Sequence, residues 1–443
     1  MQNICFLYMI SQVIFILVTA VAVFLFVKKW KEIYRNIHLG RKEKIKGNGA
    51  QRWRNVLLLA FGQKKMFKKP TVGLLHFVVY AGFIIVNIEL LEIILDGTLG
   101  THRLFAQAGY LYTLLINAFE MLALLVVVAC ALFLVRRNIL RVKRLASSEL
   151  DGWPKTDANL ILVTEILLMS AFLKMNAVDT LLQARGVPGY AEVHSGSFLV
   201  SQWLHPVLSA FNNATLMFTE RFCWWFHITG IYAFAIYLAY SKHLHIILAF
   251  PNAYYARLHP QAEMKNMPEI QQEVLYAMEP DRVPTDAETT GNKAFGAKDI
   301  FDLSWKNLLD AYSCTECGRC TAVCPASITG KKLSPRLIMM KTRDRAEEVG
   351  RNINHNKNFT QDNRSLLHDY ITEEELLACT TCSACVEACP VSIEPLDIIV
   401  QLRRYLIMEE SKAPVEWNAM NTNIENNFAP WQFSPEDRDA WVG

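Results

Sequence analysis

The chain has 443 residues, 52% of them hydrophobic, and 45 Lys and Arg stand against 42 Asp and Glu. That length suits two or three domains. A net charge of +3 with the cations beside apolar runs argues against a nucleic-acid partner, and eleven cysteines in a chain this long are not a small secreted disulfide scaffold.

The first apolar run, about residues 4–27, is long enough to span a bilayer. It lacks a basic leader and a small-residue cleavage site, and Lys28, Lys29 and Lys31 follow it. It therefore reads as an anchor and not a cleaved signal peptide. Further spans read at about 72–95, 110–135, 159–178 and 222–240, which makes about five. The loop 28–69 and the stretch Arg136 to Arg144 are heavily basic, whereas 96–109 and 179–220 carry only Arg103 and Arg185. The positive-inside bias then predicts a multi-pass protein of the cell inner (cytoplasmic) membrane, with the N-terminus outside and the C-terminal domain cytoplasmic. Residues 198–218 are moderately apolar but hold His205, Pro206, Asn212 and Asn213. They read as an interfacial or re-entrant piece, because a further span would break the charge pattern.

The expected domains are a membrane helix bundle over 1–250, a proline-rich linker with a short helical stretch over 251–297, a compact domain over 298–411 and a tail over 412–443. The fold class is all-α: a transmembrane helix bundle followed by a small α-helical ferredoxin-type domain. Residues 345–364 read as a polar insert between two groups of cysteines.

Three cysteines, Cys5, Cys130 and Cys223, are scattered through apolar segments and read as small apolar residues. The other eight fall into two identical runs. Cys314, Cys317, Cys320 and Cys324, followed by Pro325, follow C-x2-C-x2-C-x3-C-P; so do Cys379, Cys382, Cys385 and Cys389, followed by Pro390. Three cysteines at that spacing grip three irons of one cubane, and the fourth points to the other cluster. Two [4Fe–4S] clusters with crossed ligands follow: Cys314, Cys317, Cys320 and Cys389 for one, Cys379, Cys382, Cys385 and Cys324 for the other. Gly318 would let backbone N–H groups approach the sulfide. Paired C-x2-C zinc sites are the alternative, but they give no reason for the x3-C-P extension. Metal thiolates imply a reducing compartment for this domain.

The membrane segments also hold histidines. His76 lies near the inner end of the second span; His227 and His245 flank the fifth. Eighteen residues separate the latter two, five full turns at 100° per residue, so on one continuous helix their rings share a face about 27 Å apart. His76, on an antiparallel helix, is level with His245. That pairing predicts one bis-imidazole haem b near the inner face. His243 competes with His245 but sits about 160° around the helix. A second haem at His227 stays open, with His102 or His205 as possible partners. Glu89, Glu92, Glu120, Glu165 and Lys174 are costly in lipid, and hint at a quinone or proton site or else at paired structural groups.

On these residues the first 250 positions resemble the gamma (cytochrome b) subunit of respiratory nitrate reductase: His76, His227, and the Ser-Lys-His-Leu-His run ending at His245 before Pro251 carry the likeness. That resemblance implies an inner haem on His76 and His245. It places Val86 where the family has the second ligand of an outer haem. From about residue 300 the chain is similar to the two-cluster small subunit of heterodisulfide reductases. The whole, with Phe61-Gly-Gln-Lys-Lys and the tail residues Asn427 to Trp431, Arg438 and Trp441, resembles iron–sulfur oxidoreductases linking electron-transfer flavoprotein to quinone. That family continues into cysteine-rich CCG modules, so a separate CCG iron–sulfur subunit is expected as a partner, docked through the aromatic tail.

The leading expectation is thus a respiratory oxidoreductase subunit passing electrons between a soluble donor and the quinone pool. The alternatives are a non-catalytic membrane anchor and electron wire of a heterodisulfide reductase-like complex, or a redox-gated transporter. The absence of an internal repeat argues against the last of these.

Overall fold

The computed structural model describes residues 2–193, 195–260, 263–282 and 294–442, without the side chains of 2–8, Glu269 and Arg438. The Cys5 side chain, residues 261–262 and 283–293 of the expected linker, and the Arg438 side chain therefore lie outside the described residues. Among the described residues the chain is helical and no strand forms, in agreement with the all-α expectation.

The membrane part comprises α1 (Gln2–Ile37), α2 (Pro70–Leu99), α3 (Tyr110–Leu134), α4 (Trp153–Ala184) and α5 (Asn213–Leu238). Among the described residues four helices are long and apolar enough to cross a membrane: α1 to α4. A fifth span exists only if α5 is joined to the short segment after it, which bends away by 90°. α4 lies at the centre, packed on α3 and α5, and α1 leans on α5 and α2. Phe15, Ile116, Ala123, Phe172 and Ile228 fill the space between them.

Three boundaries differ from expectation, each for a local reason. α5 starts at Asn213, where the Asn212 side chain accepts from the Thr215 N–H at 2.9 Å, so 213–221 belong to the span. Only two short turns, Ser201–Leu204 and His205–Leu208, remain of the expected re-entrant piece. At its other end α5 stops at Leu238, and Ser241 Oγ, which accepts from the His243 N–H at 3.0 Å, caps the short turn that follows. The chain then restarts as α6 (His245–Tyr254), which straddles the boundary expected at residue 250.

The third difference concerns the stretch after the first span. Residues 28–37 are not loop; they extend α1 beyond its apolar run. Trp30, Ile33 and Ile37 recur at helical spacing and enter the core of the C-terminal domain. Here α7 (Trp305–Tyr312), α8 (Pro335–Asn356) and α9 (Pro395–Met408) pack around Leu308, Ile338, Val349, Ile398 and Leu402. Leu244 and Leu248 of the α6 region join the same cluster. Asn36 donates to the Tyr312 hydroxyl at 3.0 Å, and a Cβ on Gly350 would stand 2.4 Å from the Asn36 side chain, so glycine sets the approach of α1 to α8. The tail is not aperiodic either: it contains α10 (Val415–Asn427), beyond which Phe428, Phe433 and Trp441 are exposed.

Arg345 does not belong to a polar surface insert. It lies within α8, fully buried, and its guanidinium meets Asp299 at 2.7 Å, Asp362 at 2.6 Å and Glu348 at 3.2 Å. Removing one side of a buried charge network strands the other. Arg345→Ala is expected to cost about 3 kcal/mol and to lower the temperature at which the full-length protein loses its iron–sulfur absorbance; an unchanged midpoint would refute this.

Candidate functional site

The two cysteine runs fold into loops of matching geometry. In each, the residue before the second cysteine has a left-handed backbone (Glu316, φ 54°; Thr381, φ 57°), and so has the residue after it (Gly318, φ 70°; Ser383, φ 60°). The fourth cysteine of each run is extended (Cys324, φ −74°, ψ 120°; Cys389, φ −75°, ψ 122°) and precedes proline, which turns the chain away. Glycine is needed at 318 but not at 383. A Cβ on Gly318 would stand 2.6 Å from the Arg336 guanidinium and 3.0 Å from the Arg144 carbonyl.

The fourth cysteines lie across the pair. Burial, and then the nearby Cys314, Cys317 and Cys389, push the Cys320 thiol well up, with Cys385 contributing least. Burial, then Cys379, Cys324 and Cys382, push Cys385 up to about 12. Cys324 thus neighbours the second run and Cys389 the first. Cys314 is raised to about 12 and Cys389 to about 11, chiefly by burial. A cluster takes its cysteines as thiolates, so loading releases protons. Backbone N–H groups already point at sulfur: Thr381 N to Cys379 Sγ at 3.4 Å, and Ile393 N to Cys389 Sγ at 3.3 Å.

The histidines converge beside the first loop. The rings of His76 and His245 are 6.5 Å apart, and His243 is 5.5 Å from His245. His76 Nδ1 is 3.0 Å from Gln63 Oε1, and His245 Nδ1 is 3.0 Å from the Lys242 carbonyl. A cavity of about 400 Å³ lies between them; Cys317, Pro390 and Val391 also border it. The break at 239–244 removes the basis of the single-face argument for His227 and His245. It also removes the angular argument against His243, which packs on Phe234 at 5.6 Å and lines the cavity.

His227 stands elsewhere, its Nδ1 3.0 Å from the Leu168 carbonyl and its ring 6.0 Å from Phe172. His102 bonds Asp179 at 3.1 Å and His205 bonds Thr180 at 3.0 Å, so neither is turned to His227. Val86 is buried in the core of the bundle. The acidic residues divide. Glu120 accepts from the Val200 and Ser201 N–H groups and from Asn176, and Glu92 from Phe105 N–H and the Tyr112 hydroxyl. Glu89 keeps an unpaired buried oxygen beside a separate cavity of about 400 Å³, and Glu165 lines the histidine cavity. Lys174 is exposed on the bundle, contrary to expectation.

Sequence reasoning missed the residues that join the two sites. Lys242 Nζ is 2.5 Å from Glu316 Oε2, with both side chains nearly buried, and Arg343 meets the other oxygen of Glu316 at 2.6 Å. Arg336, almost fully buried, reaches Glu149 at 2.6 Å and the Arg144 carbonyl at 3.0 Å, tying the α3–α4 connection to the cluster domain. The available signal was one of position: Glu316 stands inside the first cysteine run and Lys242 three residues before His245.

Comparison with known proteins fits this geometry. A 4Fe-4S dicluster domain matches residues 313–393. The chain is 29% identical over 97% of its length to the "Probable iron-sulfur-binding oxidoreductase FadF" of Bacillus subtilis, covering 60% of that protein. It is 25% identical over 96% of its length to the EtfAB:quinone oxidoreductase of Syntrophomonas wolfei, covering 58% of it. Over 24% of its length it is 32% identical to a CoB-CoM heterodisulfide reductase subunit from Methanosarcina acetivorans, and matches 52% of that protein. No solved structure matches. The chain spans about 60% of the length of the two curated relatives it matches end to end. It carries a domain for two [4Fe–4S] clusters behind a bundle of membrane-length helices, and it is related to iron–sulfur oxidoreductases.

Proposed function

We propose that the chain is a membrane-bound electron-transfer subunit that passes electrons between a soluble donor and the quinone pool through two [4Fe–4S] clusters and one haem b. The observation that carries this reading is the cavity opening both on His76 and His245 and on the loop of Cys317. One cluster is held by Cys314, Cys317, Cys320 and Cys389, the other by Cys379, Cys382, Cys385 and Cys324. The clusters and haem supply the one-electron steps.

What the chain supplies is placement. Gln63 and the Lys242 carbonyl accept from Nδ1 of His76 and His245, which leaves each Nε2 lone pair free for a metal. The two rings, 6.5 Å apart, border one cavity, so His76 and His245 would together hold the haem iron. Glu165 lines the same cavity. The basic residues of 28–69 and 136–144 gather at the cluster end, which supports a cytoplasmic cluster domain and an N-terminus outside. The donor is electron-transfer flavoprotein or a cysteine-rich iron–sulfur subunit. Such a partner would meet the tail, where Phe428, Phe433 and Trp441 are exposed.

Optical spectra of purified variants test the haem assignment. His76→Ala and His245→Ala should each abolish the low-spin alpha band, while His243→Ala and His227→Ala leave most of it. Loss of the band in His227→Ala alone would move the haem. Paramagnetic resonance tests the crossed ligation. In Cys389→Ser the signal of the cluster on Cys314, Cys317 and Cys320 should change; selective loss of the Cys379 cluster would contradict it. A third test addresses the link between sites. Lys242→Met leaves Glu316 with Arg343 alone, and should lower the rate of electron passage from clusters to haem by roughly tenfold, about 1.4 kcal/mol, in stopped-flow reduction. An unchanged rate would show that the pair is only structural.

A further inference from the structure

The cavity beside His76 and His245 is unevenly polar. Its walls are largely apolar, with Phe83, Phe133, Ile161 and Ala249 among them. At one edge it is cationic: Arg136, Arg137, Arg144 and Arg319 reach it, and among the described residues lining it Glu165 is the one carboxylate. Arg144 spends a donor on the Cys317 carbonyl, and Arg319 donates to the Lys65 carbonyl at 3.1 Å. Arg137 is different. Among the described residues its guanidinium makes one long bond, 3.5 Å, to the Pro154 carbonyl, and its Nε is buried without a partner. An idle buried donor on a guanidinium is costly unless something absent here satisfies it.

The backbone explains how two successive arginines face one cavity. The end of α3 relaxes into a π-helical turn over Val135–Ile139, which widens the spiral and turns Arg136 and Arg137 to the same side. Such turns concentrate at functional sites. The complementary ligand has a broad apolar body and an acidic edge. A neutral quinone ring gives two guanidinium groups nothing to neutralise.

We propose that Arg137, with Arg136 beside it, binds the carboxylate side arms of the haem held by His76 and His245. The inference rests on the haem reading above. A guanidinium fork pairs with a carboxylate through two parallel charge-assisted bonds, and the idle Nε supplies one of them. Arg137 is then a positioning residue: it would hold the carboxylate side arms and so set how the group sits in the cavity. An anionic lipid headgroup would offer similar charge chemistry, and the experiment separates the two.

The full-length protein, purified in detergent after expression under haem limitation, is titrated with haem b and with its dimethyl ester, which lacks the charged side arms. The wild type should bind the free acid about tenfold more tightly than the ester. Arg137→Gln should abolish that preference and leave ester affinity and the low-spin band unchanged. Arg137→Lys, which keeps the charge without the fork, should retain part of it, and the iron–sulfur absorbance reports that each variant is folded. Equal weakening of both forms in Arg137→Gln, or no preference in the wild type, overturns the proposal. So does loss of co-purified phospholipid from Arg137→Gln with the haem preference intact, which would assign the arginine to a lipid headgroup. If the wild type binds neither form while its clusters are present, the haem reading itself fails and this inference falls with it.

Discussion

The Lys242 ammonium and the Glu316 carboxylate, 2.5 Å apart, join the turn that carries His245 to the loop that carries Cys314 and Cys317. The pair is nearly dry, so it holds only because each charge has further partners. Glu316 also meets Arg343, and the Lys242 ammonium also donates to the Pro154 carbonyl at 2.6 Å. The same residue's carbonyl orients the His245 ring. One lysine thus connects the position of an imidazole to the position of a cysteine loop. Much of the remaining architecture serves that junction. The 90° bend after α5 brings the turn to the bundle's end, and Arg336 pins the α3–α4 connection beneath the first loop.

The far end of the bundle solves a different problem. Arg103, buried among α2, α3 and α4, bonds Asp179, Asn176 at 2.6 Å and Tyr112 at 2.9 Å. Glu120 takes up the N–H groups of the turn at 200–201, backbone that would be unsatisfied in an apolar surrounding. These groups are closed on one another, and they stiffen the end remote from the clusters. The polar atoms left open on Tyr80, Arg137 and Glu89 lie beside cavities. The unpartnered atoms of Gln183 and Arg403 border neither of these cavities.

Much of this is legible in the residues. The two C-x2-C-x2-C-x3-C-P runs announce a dicluster domain because their spacing has no other economical use, and the matched depth of His76 and His245 anticipates their approach. The single-face reasoning beside it fails, however. It needs one straight helix from His227 to His245, and the helix ends at Leu238, where the chain bends by 90°. The misplacement of Arg345 has a related origin: composition marks the segment polar, while its charges turn inward onto Asp299 and Asp362. Hydropathy likewise ends the first span at Val27, because the periodic Trp30, Ile33 and Ile37 are diluted by the Lys, Arg and Glu side chains between 28 and 35. Contacts between distant segments, such as Lys242 with Glu316, leave no trace in local pattern.

That unbroken α1 has a mechanical meaning. The apolar, membrane-length stretch of α1 and the stretch that enters the cluster domain's core are one rod, so the domain is bolted to the bundle and not tethered to it. A tethered carrier works by swinging between docking positions, and its pace follows solvent viscosity and linker reach. A bolted one has no such stroke. Insertions in this rod are correspondingly constrained. Each added residue would screw the domain about 100° around and 1.5 Å along, carrying the Cys317 loop off its cavity, whereas the connections at 100–109 and 185–212 could change length without touching that alignment.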